Sequence, residues 1–154
     1  MVNMIALYAA IVATVVLVWD IYKWKTSGPE ISLTASPNIK VLGDPELEGK
    51  TYISIEARNI GSRPTTILKL GFLYYKNWWH RVRGKHEVFL WVVHPHTQHG
   101  IPYVLQQGTV WNGLAHQNKD IEKKAKEGLL FCALFLSHTE KPRTVRVVLR
   151  PDEG

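Results

Sequence analysis

"TYISIEARN", residues 51–59, alternates apolar and polar side chains with period two: Ile53, Ile55 and Ala57 on one face, Ser54, Glu56 and Arg58 on the other. Successive Cβ atoms point to opposite faces of a strand, so the pattern predicts a strand buried on one side and solvated on the other. Turn chemistry, "NIGSRP" (59–64), follows it and leads into a second strand-like run, "TTILKLGFLYY" (65–75).

Working outward from that pair, the same signature recurs in "EISLTA" (30–35), "NIKVL" (38–42), "HEVFLWVV" (86–93), "LLFCALFLS" (129–137) and "TVRVVL" (144–149). Loops such as "GDPELEG" (43–49) and "HTEKPR" (138–143) separate them. Short strands with frequent turns predict an antiparallel sandwich rather than βαβ units. One segment reads as a helix, "NKDIEKKAKEG" (118–128), with Asn118 as N-cap and Gly128 as its stop. Asp120 and Glu122 stand four residues before Lys124 and Lys126, and only Ile121 and Ala125 form an apolar stripe, so it is predicted to lie on the surface between two strands.

Before the strands comes "MIALYAAIVATVVLVW" (4–19), uncharged and interrupted only by Thr14. A helix needs about 20 mainly apolar residues to cross a hydrocarbon core of roughly 30 Å. Trp19, Tyr22 and Trp24 beside Lys23 and Lys25 match the belt where amphipathic rings and long basic side chains sit at a membrane surface. A signal peptide would carry a basic n-region and a small-x-small cleavage site, which "MVNM" and "WDIYKWK" do not supply. A core helix would be shorter and not apolar on every side. The predicted organisation is an anchor over 1–25, a Gly-Pro linker over 26–29, a β-sandwich over 30–150 and a tail over 151–154. Lys23 and Lys25 after the span favour a single pass through an inner membrane with the domain in the cytoplasm. The lone Cys132 agrees with a reducing compartment, and a periplasmic domain is the alternative.

At "YISIEARNIGSRPTTI" (52–67) the chain resembles an immunoglobulin-like sandwich, in which a strand ends in an Asn-x-Gly turn and the next opens with Thr and Ile. The layout is similar to small bacterial and phage single-pass membrane proteins of unknown function. The residues that carry the resemblance are Trp19, Asp20 and Tyr22, Gly28 and Pro29, Asn59 and Gly61, Thr65 to Ile67, Pro102, Gly108 and Trp111. It covers nearly the whole chain but implies no catalytic residue. Cys132 has no earlier cysteine to pair with across the sheets, unlike a true immunoglobulin domain.

Two clusters carry candidate chemistry. "HPHTQHG" (94–100) places His94, His96 and His99 after an apolar strand, one residue from the H-x-H-x-D-H pattern of metallo-β-lactamase-like hydrolases. Gln98 stands where that family has a charged ligand, and zinc sites need three or four firm ligands, so a solvated loop is the main reading. A zinc-binding protein or metal-dependent hydrolase using these histidines is the alternative. "KNWWHRVRGKH" (76–86) reads as a hairpin tip where Trp78 and Trp79 adjoin Arg81, Arg83 and Lys85, with one tryptophan buried and the other exposed. Anionic lipid headgroups and an acidic protein surface both suit it, the short linker favouring lipid, and a solvated edge hairpin is the competing structural reading.

The chain carries 19 Lys and Arg against 13 Asp and Glu, a formal charge of +6. That excess is modest for phosphate binding, so nucleic acid is not the expected partner. No phosphate loop, G-x-S-x-G, H-E-x-x-H or C-x-x-C motif occurs. The expectation is a non-catalytic, membrane-tethered binding or scaffold module without a cofactor, meeting lipid through its helix and a membrane-associated protein through its domain.

Overall fold

The computed structural model describes residues 2–92, 95–97 and 99–149. It opens with helix α1 (Val2–Thr26), whose stretch Asn3–Trp24 has a mean hydropathy of 2.3, is wholly exposed, and is long and apolar enough to cross a membrane. Trp19 and Tyr22 lie side by side near its end, their tilted rings 6.2 Å apart between centroids. The rest is mainly β, in two antiparallel sheets.

One sheet joins β1 (Ile31–Lys40), β2 (Thr51–Asn59) and β6 (Val110–His116) in the order β1-β2-β6. The other joins β4 (Glu87–Val92), β3 (Thr65–Tyr75), β7 (Leu129–Leu136) and β8 (Arg143–Arg146) in the order β4-β3-β7-β8, with the short β5 (Tyr103–Leu105) also on β3. Ile53, Ile55 and Ala57 are fully buried, as the alternation of β2 requires, and meet Ile67, Leu70, Phe72, Cys132, Leu134 and Trp111 in one core between the sheets. The surface helix is α3 (Lys119–Glu127), which carries the chain from β6 to β7. The Asn118 side chain accepts from Ile121 N–H, Gly128 N–H donates to Lys124 O, and Ile121 is the buried residue of the helix. Lys124 sits over the Tyr74 ring at 4.3 Å.

The runs 30–35 and 38–42, read from sequence as separate strands, form one strand in β1. Its register shifts between Ser36 and Ile39, where Pro37 has no N–H and Asn38 takes φ +62°. The segment "VWNGLAH" (110–116) is β6, which sequence patterning did not single out. Gly113 there has no Cβ because the Trp111 indole folds across it.

Antiparallel pairing sorts the loops into two ends. Asn59, Thr65, Leu105, Leu136 and Arg143 close the end where the linker enters; Lys40, Thr51, Tyr75, His116 and Leu129 close the other. The eleven residues of β3 run between the two ends, a distance of about 33 Å.

The linker end is tightly built. Ser62 N–H donates to Gly28 O at 3.0 Å, and Ile60 and Gly61 N–H donate to Glu30 O at 2.8 and 3.2 Å. Asn59, fully buried, donates from Nδ2 to Arg63 O at 2.8 Å and Leu105 O at 3.1 Å, while its Oδ1 accepts from Gly61 N–H at 3.0 Å. The Asn-x-Gly turn read from sequence is therefore the clasp that holds the linker to the domain.

Candidate functional site

The segment 76–86 lies at the far end from the linker. It joins the antiparallel strands β3 and β4 and so is the hairpin tip read from sequence, but its centre is a helical turn, α2 (Trp78–Val82), and not extended chain. Asn77 caps it, accepting from His80 N–H at 3.0 Å. Lys85 N–H donates to His80 O at 2.8 Å and Gly84 N–H to Arg81 O at 3.0 Å, a Schellman closure with Gly84 at φ +66° in the left-handed position that glycine adopts without strain. The spacing from Asn77 to Gly84 was the local signal for this turn.

Helical rather than extended geometry changes the fate of the two indoles. Expectation placed one of them in the core; both are exposed, Trp78 by 59% and Trp79 by 64%, with their rings edge to face at 5.4 Å. Burying an indole is strongly favourable, and a fold that caps both ends of a short turn to hold two of them in water keeps them available for contact. Arg83 and Lys85 are exposed beside them. Arg81 instead lies over the Phe131 ring at 4.1 Å, a cation–π contact that pins α2 to the outer face of the second sheet.

That outer face is itself aromatic. Leu73, Tyr75, Phe131 and Ala133 form a second buried cluster there, with Leu129 and Phe135 packed against it. Trp91 lies 5.1 Å from Phe135 and is 44% exposed, with Lys69 Nζ 5.6 Å from its ring. A Cβ on Gly71 would come within 3.1 Å of the Trp91 ring, so the glycine lets that indole approach the sheet. This face thus carries the rings of Phe131, Phe135 and Trp91, with Arg81 of α2 over the first and Lys69 by the last. Trp91, Phe135 and Lys69 were not read as surface candidates; the signal was the run "LLFCALFLS", apolar at consecutive positions and so suited to a strand covered on both faces.

The histidines are placed differently. His94 lies outside the described residues. His96 bridges to Leu114 through two backbone hydrogen bonds of 3.1 and 2.9 Å, carrying the chain across to the free edge of β6. Its ring and that of His116 both meet Tyr52 edge on, at 5.9 and 5.8 Å, and His99 stacks on Tyr103 at 5.1 Å. Trp111 Nε1–H donates to His99 O at 3.0 Å, and Thr97 Oγ1 donates to Asn112 O. Among the described residues no group of three His, Cys, Asp or Glu is placed to hold a metal ion.

Two remaining groups have reactive chemistry in principle. The Cys132 thiol is fully buried, and desolvation pushes its pKa up to about 12, so it is inert as a nucleophile. Thr65 Oγ1 lies 2.6 Å from His138 Nδ1, and Ser137 Oγ accepts from Thr66 N–H at 3.1 Å. Thr65 is buried, so the contact clamps the start of β3 to the turn after β7. Burial first, and Arg143 second, hold the His138 pKa below its usual 6.5. The unfolded chain therefore binds the proton more readily, and stability present above about pH 6.5 declines as pH falls through that value. Thermal unfolding is expected to show a small acid-side loss that His138→Gln removes; an unchanged acid slope in that variant would assign the loss elsewhere.

Comparison with known proteins returns no match to this chain, whether among family models, curated proteins or solved structures.

Proposed function

We propose that this chain is a membrane-tethered binding module: α1 spans the bilayer, and an immunoglobulin-like sandwich presents Trp78, Trp79, Arg83 and Lys85 to an acidic, membrane-associated protein. The observation that carries this reading is the capped turn α2, holding two exposed indoles among basic side chains at the end of the domain opposite the tether. Tryptophan and arginine dominate the energetics of protein interfaces, and basic residues around them select an acidic counterpart. Tethering raises the effective concentration of such a surface for partners in the same membrane.

The strand order supports the immunoglobulin-like reading. With β1, β2 and β6 as strands A, B and E, and β4, β3, β7 and β8 as C′, C, F and G, the order along each sheet is compatible with that plan, while β5 on β3 departs from it. The likeness to small bacterial and phage single-pass proteins belongs to the same reading and rests on the residues quoted for it. Lys23 and Lys25 after the span favour a cytoplasmic domain in the inner membrane. Lipid as the ligand of α2 is disfavoured by position, since about 33 Å of β3 separates it from the linker.

A photoreactive amino acid in place of Trp79, in the full-length membrane-bound chain in cells, tests the proposal. It is expected to cross-link to protein. The double variant Arg83→Glu, Lys85→Glu should lower the yield roughly tenfold, as about 1.4 kcal/mol of lost charge complementarity requires. Cross-links to lipid alone, or a yield indifferent to the charge reversal, would overturn it.

A further inference from the structure

The end of the domain that carries the linker has its own surface. α1 ends at Thr26, Ser27 N–H still donates to Lys23 O at 2.9 Å, and by Gly28 the chain is already hydrogen bonded to the turn after β2. Glu30, whose carbonyl accepts from Ile60 and Gly61, is the fourth residue after Thr26. Four residues reach at most about 14 Å when extended. The headgroup layer on each side of a bilayer is roughly 5–8 Å deep, so a helix that spans to Trp24 brings this turn to the lipid surface.

The side chains there suit that position. Ile60 sits at the tip of the turn with 57% of its surface exposed, although its own backbone N–H is fixed to Glu30 O. Arg63 follows on the same turn, and the neighbouring loop after β7 supplies Lys141 and Arg143, all exposed. Glu30 and Glu140 are the acidic residues of this end. Against the three basic side chains they leave an excess of one positive charge. Arg58 is engaged with Glu56 at 3.7 Å and does not enter the count. An apolar tip flanked by basic groups matches the layered chemistry of a bilayer surface, where apolar side chains enter the acyl boundary and basic ones meet phosphates.

We propose that the linker end of the domain is a second contact surface that seats on anionic lipid headgroups, with Ile60 dipping into the interface and Arg63, Lys141 and Arg143 on phosphates. This rests on the reading of α1 as a membrane span. It also gives the two ends separate tasks: the linker end fixes the domain on the bilayer, and α2 is held away from that bilayer and free for its partner.

Site-directed spin labelling of the full chain tests it, in nanodiscs of phosphatidylcholine with phosphatidylglycerol. The native Cys132, buried and inert, leaves single introduced cysteines as the sites of labelling. Three labels are compared: Val12→Cys within α1, Ser62→Cys beside Ile60, and Trp79→Cys on α2. Collision with a water-soluble nickel chelate is expected to be at least about threefold lower at position 62 than at position 79, because headgroups and acyl chains exclude the chelate. Adding Ile60→Ser, or the triple change Arg63→Ser, Lys141→Ser, Arg143→Ser, should raise it toward the value at 79. If position 12 reports lipid while 62 is as accessible as 79, the seating is overturned and the tether stands. Shielding at 62 that neither set of changes relieves would come from the protein itself and overturns the seating equally. A water-exposed position 12 overturns both readings.

Discussion

Trp111→Ala is expected to cost the domain about 3–5 kcal/mol, the range for removing a large aromatic side chain from a core. Trp111 is 1% exposed and stands among the largest fully buried side chains. Its ring lies across Gly113 in its own strand, and that residue has no side chain with which to fill the void. The indole N–H is also the donor that holds His99 O at 3.0 Å, so its loss frees the segment that guards the edge of β6. Against a typical domain stability of 5–15 kcal/mol, such a loss should lower Tm by more than roughly 10 °C. Trp111→Phe separates the two roles. It keeps most of the volume but not the donor, and should cost nearer 1 kcal/mol while raising amide exchange at His96 and Leu114. A Tm change below about 2 °C for Trp111→Ala would contradict its place in the core.

Gly61→Ala is expected to be the most damaging single methyl group in the chain. A Cβ at this position overlaps Glu30 N and Gly28 O, both backbone atoms, which cannot rotate aside. The φ of Gly61 lies outside the left-handed region, so the cost comes from contact and not from backbone conformation. The three hydrogen bonds between the turn and the linker must lengthen or break, and overpacking of this kind costs about 1–3 kcal/mol or somewhat more. The informative control is adjacent: a Cβ on Gly28 meets nothing within 4 Å, and Gly28→Ala should change stability by less than about 0.5 kcal/mol. Thermal unfolding and the rate of proteolysis within residues 25–30 read the two effects separately. Equal behaviour of the two alanine variants would show that the turn does not grip the linker.

Much of the fold was legible locally. The strand bounds 51–59 and 65–75 match β2 and β3, because period-two alternation followed by an Asx turn leaves few alternatives. α3 was legible from Asn118 and Gly128, its caps. What escaped was decided by tertiary contact or by signals too short for periodicity. β6 contains Asn112 and Gly113, poor strand formers, and exists because Trp111 needs the space that Gly113 leaves. α2 is five residues long, below the length at which an apolar period can be seen, and only its caps announce it. The expectation of one buried tryptophan followed from assuming strand alternation through Trp78 and Trp79, and it failed with that assumption. The contact of Arg81 with Phe131 was not legible because the two lie fifty residues apart in sequence. The clasp between linker and turn is made of backbone groups, which composition does not encode.

β1 is the outer strand of its sheet, and its ladder is interrupted at Pro37 and Asn38. If α1 spans the membrane as proposed, copies of this chain share a two-dimensional solvent where collisions between like domains are frequent and similarly oriented. An unbroken ten-residue border would invite neighbours to add strand to strand, and the imino acid with the left-handed residue after it leaves no continuous row of donors for that. In that setting the interrupted ladder would keep neighbouring copies from pairing edge to edge into ribbons.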